Sequence, residues 1–208
     1  MTFIITAGPT REHLDPVRFL SNPSTGKMGF AVAQAAAQRG HKVILVAGPV
    51  TLKTPCNVTR IDIISAREML KTVQETVRQN PAAVLIATAA VADWRPAKCA
   101  ARKLKKAQMS NTLRLVRNPD ILKSIKGIRK IGFAAETNDL ISEARRKCRA
   151  KKLEMIVAND VTKPGAGFGT DTNRVTFLYK DGRIEALPLM TKRAIARRII
   201  SAAEKLMA

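Results

Sequence analysis

Asn22 lies in a long segment, TAGPTREHLDPVRFLSNPSTGKMG, that follows the first apolar run of the chain and is rich in small and hydroxyl residues. A turn of this composition that opens a helix presents unpaired amide N–H groups, which favour a phosphate. The segment contains neither the dinucleotide fingerprint G-x-G-x-x-G nor the P-loop G-x-x-x-x-G-K-[ST]. It is, however, longer than the roughly 2–6 residues of an ordinary strand-to-helix connection, and such length is typical of a binding loop. Asn22 either forms a turn before Pro23 or supplies an amide that orients a reactive carbonyl or stabilises an oxyanion.

A second candidate is the basic run Lys103–Lys106 (KLKK), which follows the segment AAVADWRPAK. Lysines in such a run commonly form a solvated surface. Near a ligand-binding edge, their ammonium groups could instead bind a triphosphate and stabilise charge during phosphoryl chemistry. Asp93, at the end of AAVAD, either caps a turn or hydrogen-bonds a ribose or base. The spacing alone leaves these alternatives open.

Further polar residues precede or lie on predicted helices. Asn118 stands before a predicted helix, in the sequence Asn-Pro-Asp, and is predicted to be its N-cap. Lys147 and Lys151 are one helical turn apart, which indicates either a solvated basic face or two cations that face one ligand. His13 and His41 are too few and too far apart to predict a metal centre, so the sequence leaves any metal ligands unknown.

Apolar runs of strand length alternate with helical patterns along the chain, and this predicts an α/β fold. The predicted strands are residues 3–6, 42–47, 58–63, 83–87, 130–133 and 155–158, and the predicted helices are 28–39, 65–79, 140–151 and 190–206. We expect a Rossmann-like, mostly parallel sheet with helices on both faces. A small β and flap region is expected at 95–107 with a strand at 112–116, and a hairpin at 173–187. Residues 1–208 are predicted to form one domain.

Ligands of open α/β sheets bind beyond the carboxyl ends of the strands. The segments expected there are 7–26, 48–55, 89–106, 134–138 and 159–171. The unusual polar residues of the chain concentrate in these segments. This distribution favours a nucleotide or metabolite site over a purely structural protein.

Composition limits the classes of function. The 208 residues are 46% hydrophobic and only 4% aromatic, and the net charge is +21. Such a charge suits either anionic metabolites or nucleic acid, but the chain lacks the aromatic stacking platforms typical of nucleic-acid binders. No apolar run approaches the roughly 18 residues of a membrane helix, and the first residues resemble a strand and not a signal peptide. Three scattered cysteines predict neither disulfides nor a zinc site and favour a reducing, cytoplasmic location.

Six ordered segments carry a family likeness: ITAGPTREHLDPVRFLSNPSTGKMGFAVA, AAVADWRP, KLKK, NPDIL, GFAAETN and ANDV. In this order and spacing the chain closely resembles phosphopantothenoylcysteine synthetase from Ile4 to the final helix. In bacteria this enzyme is commonly the C-terminal half of a bifunctional protein whose N-terminal half is a flavin-dependent decarboxylase. The resemblance implies that this chain holds no flavin, and it makes a separate flavin-dependent decarboxylase an expected partner.

The resemblance implies a ligase reaction. CTP activates the carboxylate of 4′-phosphopantothenate as an acyl-cytidylate and releases pyrophosphate; the amine of L-cysteine then displaces CMP. Mg²⁺ accompanies the nucleotide, and members are homodimers with a Rossmann-like fold. By position, Asn22 handles the acyl-nucleotide intermediate and Lys103 is the essential lysine of K-x-K-K. The implied nucleotide-binding residues are Gly8, Asp93, Asn118, Pro119, Asp120, Ile121, Phe133, Lys147 and Lys151.

Two departures from the family pattern are small: Ser24-Thr25-Gly26 stands where many members have SSG, and Trp94 replaces a commoner Tyr.

Two other functions remain as alternatives. An NAD(P)-dependent oxidoreductase conflicts with the missing glycine fingerprint and with the lack of an acidic residue after VILVAGP. A basic nucleic-acid-binding protein would leave the Asn22 loop and the lysine run without a common purpose. The motifs do not establish CTP over ATP.

Overall fold

The structure is a computed structural model that describes residues 1–105, 112–136, 139–160, 165, 167 and 169–207. Parts of the predicted segments lie outside these residues: Lys106–Ala107 of the flap, of which Lys106 also ends KLKK, Thr137–Asn138 of GFAAETN, and Val161 of ANDV. The strands are β1 (Thr2–Ala7), β2 (Arg11–His13), β3 (Phe19–Ser21), β4 (Lys42–Ala47), β5 (Val58–Asp62), β6 (Val84–Ala87), β7 (Trp94–Pro96), β8 (Leu115–Arg117), β9 (Arg129–Glu136), β10 (Met155–Asp160), β11 (Thr172–Asn173), β12 (Val175–Tyr179), β13 (Ile184–Ala186) and β14 (Met190–Thr191). The helices are α1 (Lys27–Gln38), α2 (Ala66–Gln79), α3 (Ile121–Ser124), α4 (Leu140–Ala150) and α5 (Lys192–Met207).

Within the described residues, the main sheet has eight strands in the order β13-β12-β10-β9-β6-β1-β4-β5. The six strands from β10 to β5 pair in parallel, whereas β12 and β13 continue the sheet in antiparallel fashion. The parallel part has the strand order of a Rossmann sheet, with β1 and β6 at the point where the order reverses. The predicted α/β, mostly parallel fold is therefore confirmed.

Helices cover both faces of the sheet because the strands carry apolar side chains on both sides. Phe3 and Ile5 of β1 pack in the layer formed with α1 and α5, and the intervening Ile4 packs in the layer formed with α2, α3 and α4. Near-continuous burial of this kind is typical of parallel sheets, whose two faces are both covered.

The segment after β1 contains structure that the sequence pattern did not predict. Strands β2 and β3 form an antiparallel ribbon, and the Asp15 carboxylate closes its turn by accepting hydrogen bonds from the backbone N–H groups of Val17 (2.9 Å) and Arg18 (2.8 Å). Each strand is only three residues long. A period-two alternation cannot be recognised over so few residues, and the segment therefore resembled a loop.

Helix α1 approaches the sheet closely at Gly29. A Cβ atom built on Gly29 would lie 2.5 Å from Ala7 Cβ and would collide with Thr88 Oγ1. Ala7 ends β1 and Thr88 follows β6, so this glycine lets the first turn of α1 lie directly over the two central strands.

We predict that Gly29→Ala destabilises the protein. Alanine ordinarily stabilises a helix interior by about 1 kcal/mol relative to glycine, but overpacking at this contact should cost about 1–3 kcal/mol. Urea unfolding of both forms measures the difference. Gln38→Ala, at an exposed position on the same helix, serves as the control and should change stability by less than about 0.5 kcal/mol. A Gly29→Ala protein as stable as wild type would show that the contact is not tight.

Candidate functional site

A cleft of about 390 Å³ opens at the carboxyl ends of β1, β6, β9 and β10. Its walls come from the first turn of α1, the segment after β6, the start of α3, and one side of α4. The lysines among the described lining residues are Lys27, Lys147, Lys151 and Lys192, and the acidic residues are Asp93 and Asp120. The cleft is therefore basic and lies at the strand-order reversal, where α/β proteins bind their ligands.

The first turn of α1 forms one wall of the cleft without a side-chain cap. Gly26 occupies the N-cap position in a left-handed conformation (φ 77°), no side chain caps the helix, and its first turn carries no acidic residue. The N-terminal amides are thus left to another acceptor, which suits a phosphate. Gly8, also left-handed (φ 77°), packs behind Gly26 and does not line the cleft.

Asn22 lines the cleft, and its side chain is tied to the segment after β6. Its Nδ2 donates to the carbonyl oxygens of Ala90 (3.2 Å) and Val91 (3.1 Å). The sequence left open whether this side chain forms a turn or stabilises an oxyanion, and in the structure its N–H groups bind two backbone carbonyls. The contact positions Asn22 between β1 and β6, and a catalytic hydrogen bond from Nδ2 requires that one of these carbonyls be exchanged.

Asn118 does not cap α3, so that prediction was wrong. The N-cap is Asp120, whose Oδ1 accepts a hydrogen bond from the backbone N–H of Lys123 (3.1 Å). Asn118 instead donates from Nδ2 to the Ala92 carbonyl (2.8 Å) and accepts from Arg95 Nη1 (3.1 Å). These bonds join the segment after β6 to the start of α3, a contact between distant parts of the chain that a local capping rule cannot predict.

The other nucleotide positions implied by the resemblance converge on the same cleft. They are Asp93, Pro119, Asp120, Ile121, Phe133, Lys147 and Lys151. Lys151 Nζ lies 3.0 Å from Asp120 Oδ2, which joins α4 to α3 across the cleft. Since both groups are partly exposed, the pair can open to a ligand at little cost.

Lys103 is described but does not line the cleft, and its side chain is exposed. Its neighbour Leu104 is held by the β2–β3 turn: the Leu104 N–H donates to Asp15 Oδ2 (3.2 Å), and Arg18 Nη2 donates to the Leu104 carbonyl (2.9 Å). The Ala100 N–H also donates to the Leu14 carbonyl (2.8 Å). The described part of the 95–107 segment is therefore anchored by polar contacts, and Pro96 within it is buried.

Asp15 is the centre of this anchor. Its hydrogen bonds from the Arg18 guanidinium hold the pKa of the Asp15 carboxyl well below its usual range, against the opposing effect of burial. The carboxylate therefore remains ionised at neutral pH and can accept bonds from both the ribbon and the Leu104 segment.

Two buried lysines near the cleft were missed by sequence reasoning. Lys130 donates to the carbonyls of Leu122 (2.8 Å) and Ile125 (3.0 Å) at the end of α3, and Lys192 donates to those of Gly167 (3.1 Å) and Thr170 (2.6 Å). Burial lowers the pKa of both ammonium groups. Because all four acceptors are backbone carbonyls, these lysines position the cleft walls. In sequence they resemble ordinary surface lysines.

Asn159 is a third position that received no role, although it belongs to the ANDV motif. Asn159 lies near the carboxyl end of β10 and lines the cleft, and its Oδ1 is buried without a hydrogen-bond partner among the described residues. An unpaired buried acceptor costs about 1–3 kcal/mol. Such a cost at the wall of a cleft is expected where a ligand supplies the missing donor.

Among the described residues, no three His, Cys, Asp or Glu side chains cluster as a metal site.

No helix within those same residues has the length and apolar character needed to cross a membrane.

Comparison with known proteins places the chain in a family. A family model described as the DNA/pantothenate metabolism flavoprotein C-terminal domain matches residues 1–207. The coenzyme A biosynthesis bifunctional protein CoaBC of Vibrio vulnificus (strain YJ016) is 46% identical over 213 residues, which cover 99% of this chain and 52% of that protein. CoaBC of Bacillus subtilis (strain 168) is 48% identical over 202 residues, which cover 95% of this chain and 49% of that protein.

A solved structure shows the same similarity in three dimensions. The crystal structure of the C-terminal domain of a coenzyme A biosynthesis bifunctional protein CoaBC superposes with a TM-score of 0.83 at 42% identity, and covers 99% of this chain and 95% of that chain. The chain spans about half the length of the curated relatives it matches. With the family model matched from end to end and an identity well above 40%, this chain belongs to the family of the DNA/pantothenate metabolism flavoprotein C-terminal domain.

Proposed function

We propose that this chain is the phosphopantothenate–cysteine ligase of coenzyme A biosynthesis. It joins L-cysteine to 4′-phosphopantothenate through an acyl-cytidylate, consumes CTP, and releases pyrophosphate and CMP. The observation that carries the proposal is the basic cleft at the strand-order reversal, where Asn22, the uncapped first turn of α1 and four lysines meet. The match to the C-terminal half of CoaBC proteins supports the choice of reaction.

In the first step, a carboxylate oxygen of 4′-phosphopantothenate attacks the α-phosphorus of CTP, and the bond to the β-phosphate breaks with release of pyrophosphate. Two anions must approach each other, so the cleft has to offset their repulsion. Lys147 on α4 and Lys151 at the C-cap of α4 line the cleft and suit this role. The free amides of α1 add donors that need no reorientation.

In the second step, the neutral amine of cysteine attacks the acyl carbon, gives up a proton, and CMP leaves. The tetrahedral intermediate carries an oxyanion, which a neutral amide donor can stabilise. Asn22 lies beside the uncapped α1 turn and can meet this demand when one Nδ2 hydrogen bond moves from Ala90 or Val91 to the oxyanion.

The residues present fit a magnesium ion that arrives with the nucleotide. Mg²⁺ is usually held by one or two carboxylates together with phosphate oxygens and water. Asp93 and Asp120 provide such carboxylates at the wall of the cleft. When bound, the ion supplies neutralising charge to the phosphate oxygens.

The segment 95–107 is proposed to act as a flap that brings Lys103 to the nucleotide. Lys103 lies outside the cleft wall, so its role requires movement of this segment. Lys98, Arg102, Lys103 and Lys105 repel one another in the absence of an anion. Closure over a bound triphosphate would relieve the repulsion and exclude water from an intermediate that water hydrolyses.

A homodimer is proposed, supported by apolar side chains on the two small ribbons β2–β3 and β7–β8. Phe19 is 40% exposed, Trp94 45% and Leu115 40%. Exposed apolar side chains grouped on neighbouring elements indicate an interface. Sedimentation equilibrium should give twice the mass of one chain, and a monomer at micromolar concentration would contradict the proposal.

The cytoplasm is the proposed location, supported by the three free cysteines, of which Cys56 and Cys99 are exposed. The proposed partners are the three substrates and, where it is not fused to the chain, a flavin-dependent decarboxylase that consumes the product.

The reaction is tested by measuring pyrophosphate release. We expect release only when both CTP and 4′-phosphopantothenate are present, and formation of phosphopantothenoylcysteine after cysteine is added. Release that is independent of phosphopantothenate, or product formation with ATP but not CTP, would contradict the proposed activation step.

Asn22→Asp should form the acyl-cytidylate but fail to complete the amide bond. A carboxylate repels the oxyanion, and it cannot donate to the Ala90 and Val91 carbonyls. Mass spectrometry should show accumulated intermediate, with pyrophosphate release in the same sample as the control for folding. Normal output of phosphopantothenoylcysteine would remove Asn22 from the second step.

Lys103→Gln should slow the first step by roughly 10²–10³-fold, the usual effect of removing one donor to a developing anion. The measurement is exchange of labelled pyrophosphate into CTP in the presence of phosphopantothenate. Lys98→Gln, in the same segment, is the matched control and should retain most of the rate.

The flap is tested separately by limited proteolysis of the wild-type enzyme. Trypsin cleavage within 95–105 should be fast in the free enzyme and slow with CTP, Mg²⁺ and substrate. Equal cleavage in the two states would exclude the flap.

Asn159→Leu should raise KM for CTP at least about tenfold, equivalent to about 1.4 kcal/mol, without lowering the melting temperature. Leucine removes an unpaired buried acceptor, so the folded state loses no hydrogen bond. Asn173→Leu is the contrasting control and should lower the melting temperature, because Asn173 is buried and its Oδ1 accepts a hydrogen bond from the Arg174 N–H (3.0 Å). A large loss of stability in Asn159→Leu, or an unchanged KM, would show that Asn159 is structural.

A further inference from the structure

A second groove, of about 330 Å³, lies between α4 and the β12–β13 hairpin. Its volume falls within the range of about 300–1,000 Å³ that is typical of small-molecule sites. The lining residues on which the site depends are Arg145, Cys148, Arg149, Lys152, Leu153 and Leu178. None of them lines the nucleotide cleft.

The floor of the groove is apolar because the sheet extends beyond the helix that covers it. Leu178 belongs to the apolar layer beneath α4 and pairs directly with Ile184 on the outermost strand. Paired residues project from the same face of a sheet. Leu178 is buried, whereas Ile184 is 43% exposed. The described helices therefore leave an apolar strip uncovered next to the groove.

The rim of the groove is cationic. Arg145, Arg149 and Lys152 are exposed and form no ion pair with any residue the structure describes, and no acidic residue is found among the described residues that line the groove. Lys180 is paired with Glu154 at 3.2 Å. Three cations without an acidic partner among the described residues, around an apolar floor, are complementary to a molecule with one anionic group and an apolar body.

The groove shares helix α4 with the nucleotide cleft but uses another side of it. Arg145, Cys148 and Arg149 are spaced three and four residues apart and form one stripe, while Lys147 and Lys151 form another that faces the cleft. A ligand in the groove would therefore contact the element that positions both nucleotide-facing lysines.

We propose that this groove binds an amphipathic anion. The apolar chain lies against Cys148, Leu153 and Leu178, and the carboxylate or phosphate lies between the guanidinium groups of Arg145 and Arg149, with Lys152 beside them. The site is separate from the cleft, so its occupation does not depend on the proposed ligase activity.

Cys148 provides a native reporter for this site. Its thiol is buried in the groove wall and donates to the Leu153 carbonyl (3.5 Å), and burial raises the pKa of the thiol, so it should react slowly with alkylating reagents. In a Cys56→Ser/Cys99→Ser background it is the one remaining thiol of the chain. The rate of its alkylation by N-ethylmaleimide is measured with decanoate, decyl phosphate or decyltrimethylammonium, each below its micelle concentration.

We expect decanoate, decyl phosphate or both to slow alkylation at least fivefold in a saturable manner, and decyltrimethylammonium to have no effect. The two anions distinguish a carboxylate from a phosphate ligand.

The cationic rim is tested with charge-reversed variants. Arg145→Glu/Arg149→Glu should abolish the protection, whereas Arg78→Glu/Arg197→Glu, an equal charge change at exposed positions on α2 and α5, should retain it. No protection by either anion, equal protection by the cation, or protection that survives in Arg145→Glu/Arg149→Glu would overturn the proposal. Saturable binding of a protein partner without protection by either anion would also overturn it.

Discussion

The close contact between α1 and the two central strands is the constraint on which the site depends. Gly29 lies against Ala7 and Thr88, where any larger residue would collide. This contact places the uncapped start of α1 above the carboxyl ends of β1 and β6, at the reversal of strand order. Two sources of positive potential then coincide: the unpaired amides at the helix N-terminus, which carry the positive end of the helix dipole, and the lysines of the neighbouring elements. The anion-binding character of the cleft follows from packing as much as from charged side chains.

Buried polar contacts hold the irregular segments around this cleft. Lys130 ends α3 through two carbonyls, and Lys192 binds two carbonyls of the segment before β11. Asp15 joins the β2–β3 turn to the segment that carries Lys103. Buried charged groups thus add directed hydrogen bonds at these segments, and at α3 they do so beside core residues such as Leu122 and Ile125. Such contacts are specific in direction and can be exchanged for a ligand more readily than a packed apolar surface can.

The high net charge of +21 is distributed over several sites. Lys27, Lys147, Lys151 and Lys192 line the cleft, whereas Arg145, Arg149 and Lys152 surround the groove on another side of α4. The proposed nucleotide cleft and the proposed anion site in the groove would give two separate reasons for basic residues. Neither requires the extended aromatic surface of a nucleic-acid binder.

The features that the sequence determined by itself depend on neighbours along the chain. The alternation of strands and helices, the helix predicted at 65–79 and the hairpin predicted at 173–187 each rest on residues a few positions apart, and all three are present. The family motifs likewise located most residues of the cleft, because function confines them to the strand ends.

Tertiary structure decided the features that join distant segments. Local rules made Asn118 an N-cap, but its partner is the carbonyl of Ala92, 26 residues earlier. The hydrogen bond from Leu104 to Asp15 spans 89 residues, and neither segment contains a sequence pattern that predicts contact with the other. The sequence also did not predict the Asn159 oxygen, which has no hydrogen-bond partner among the described residues, or the groove beside α4. Both depend on which surfaces are buried when the helices pack on the sheet. A sequence specifies which groups can bond within a turn or a helix, whereas only the folded sheet determines which of the remaining groups meet.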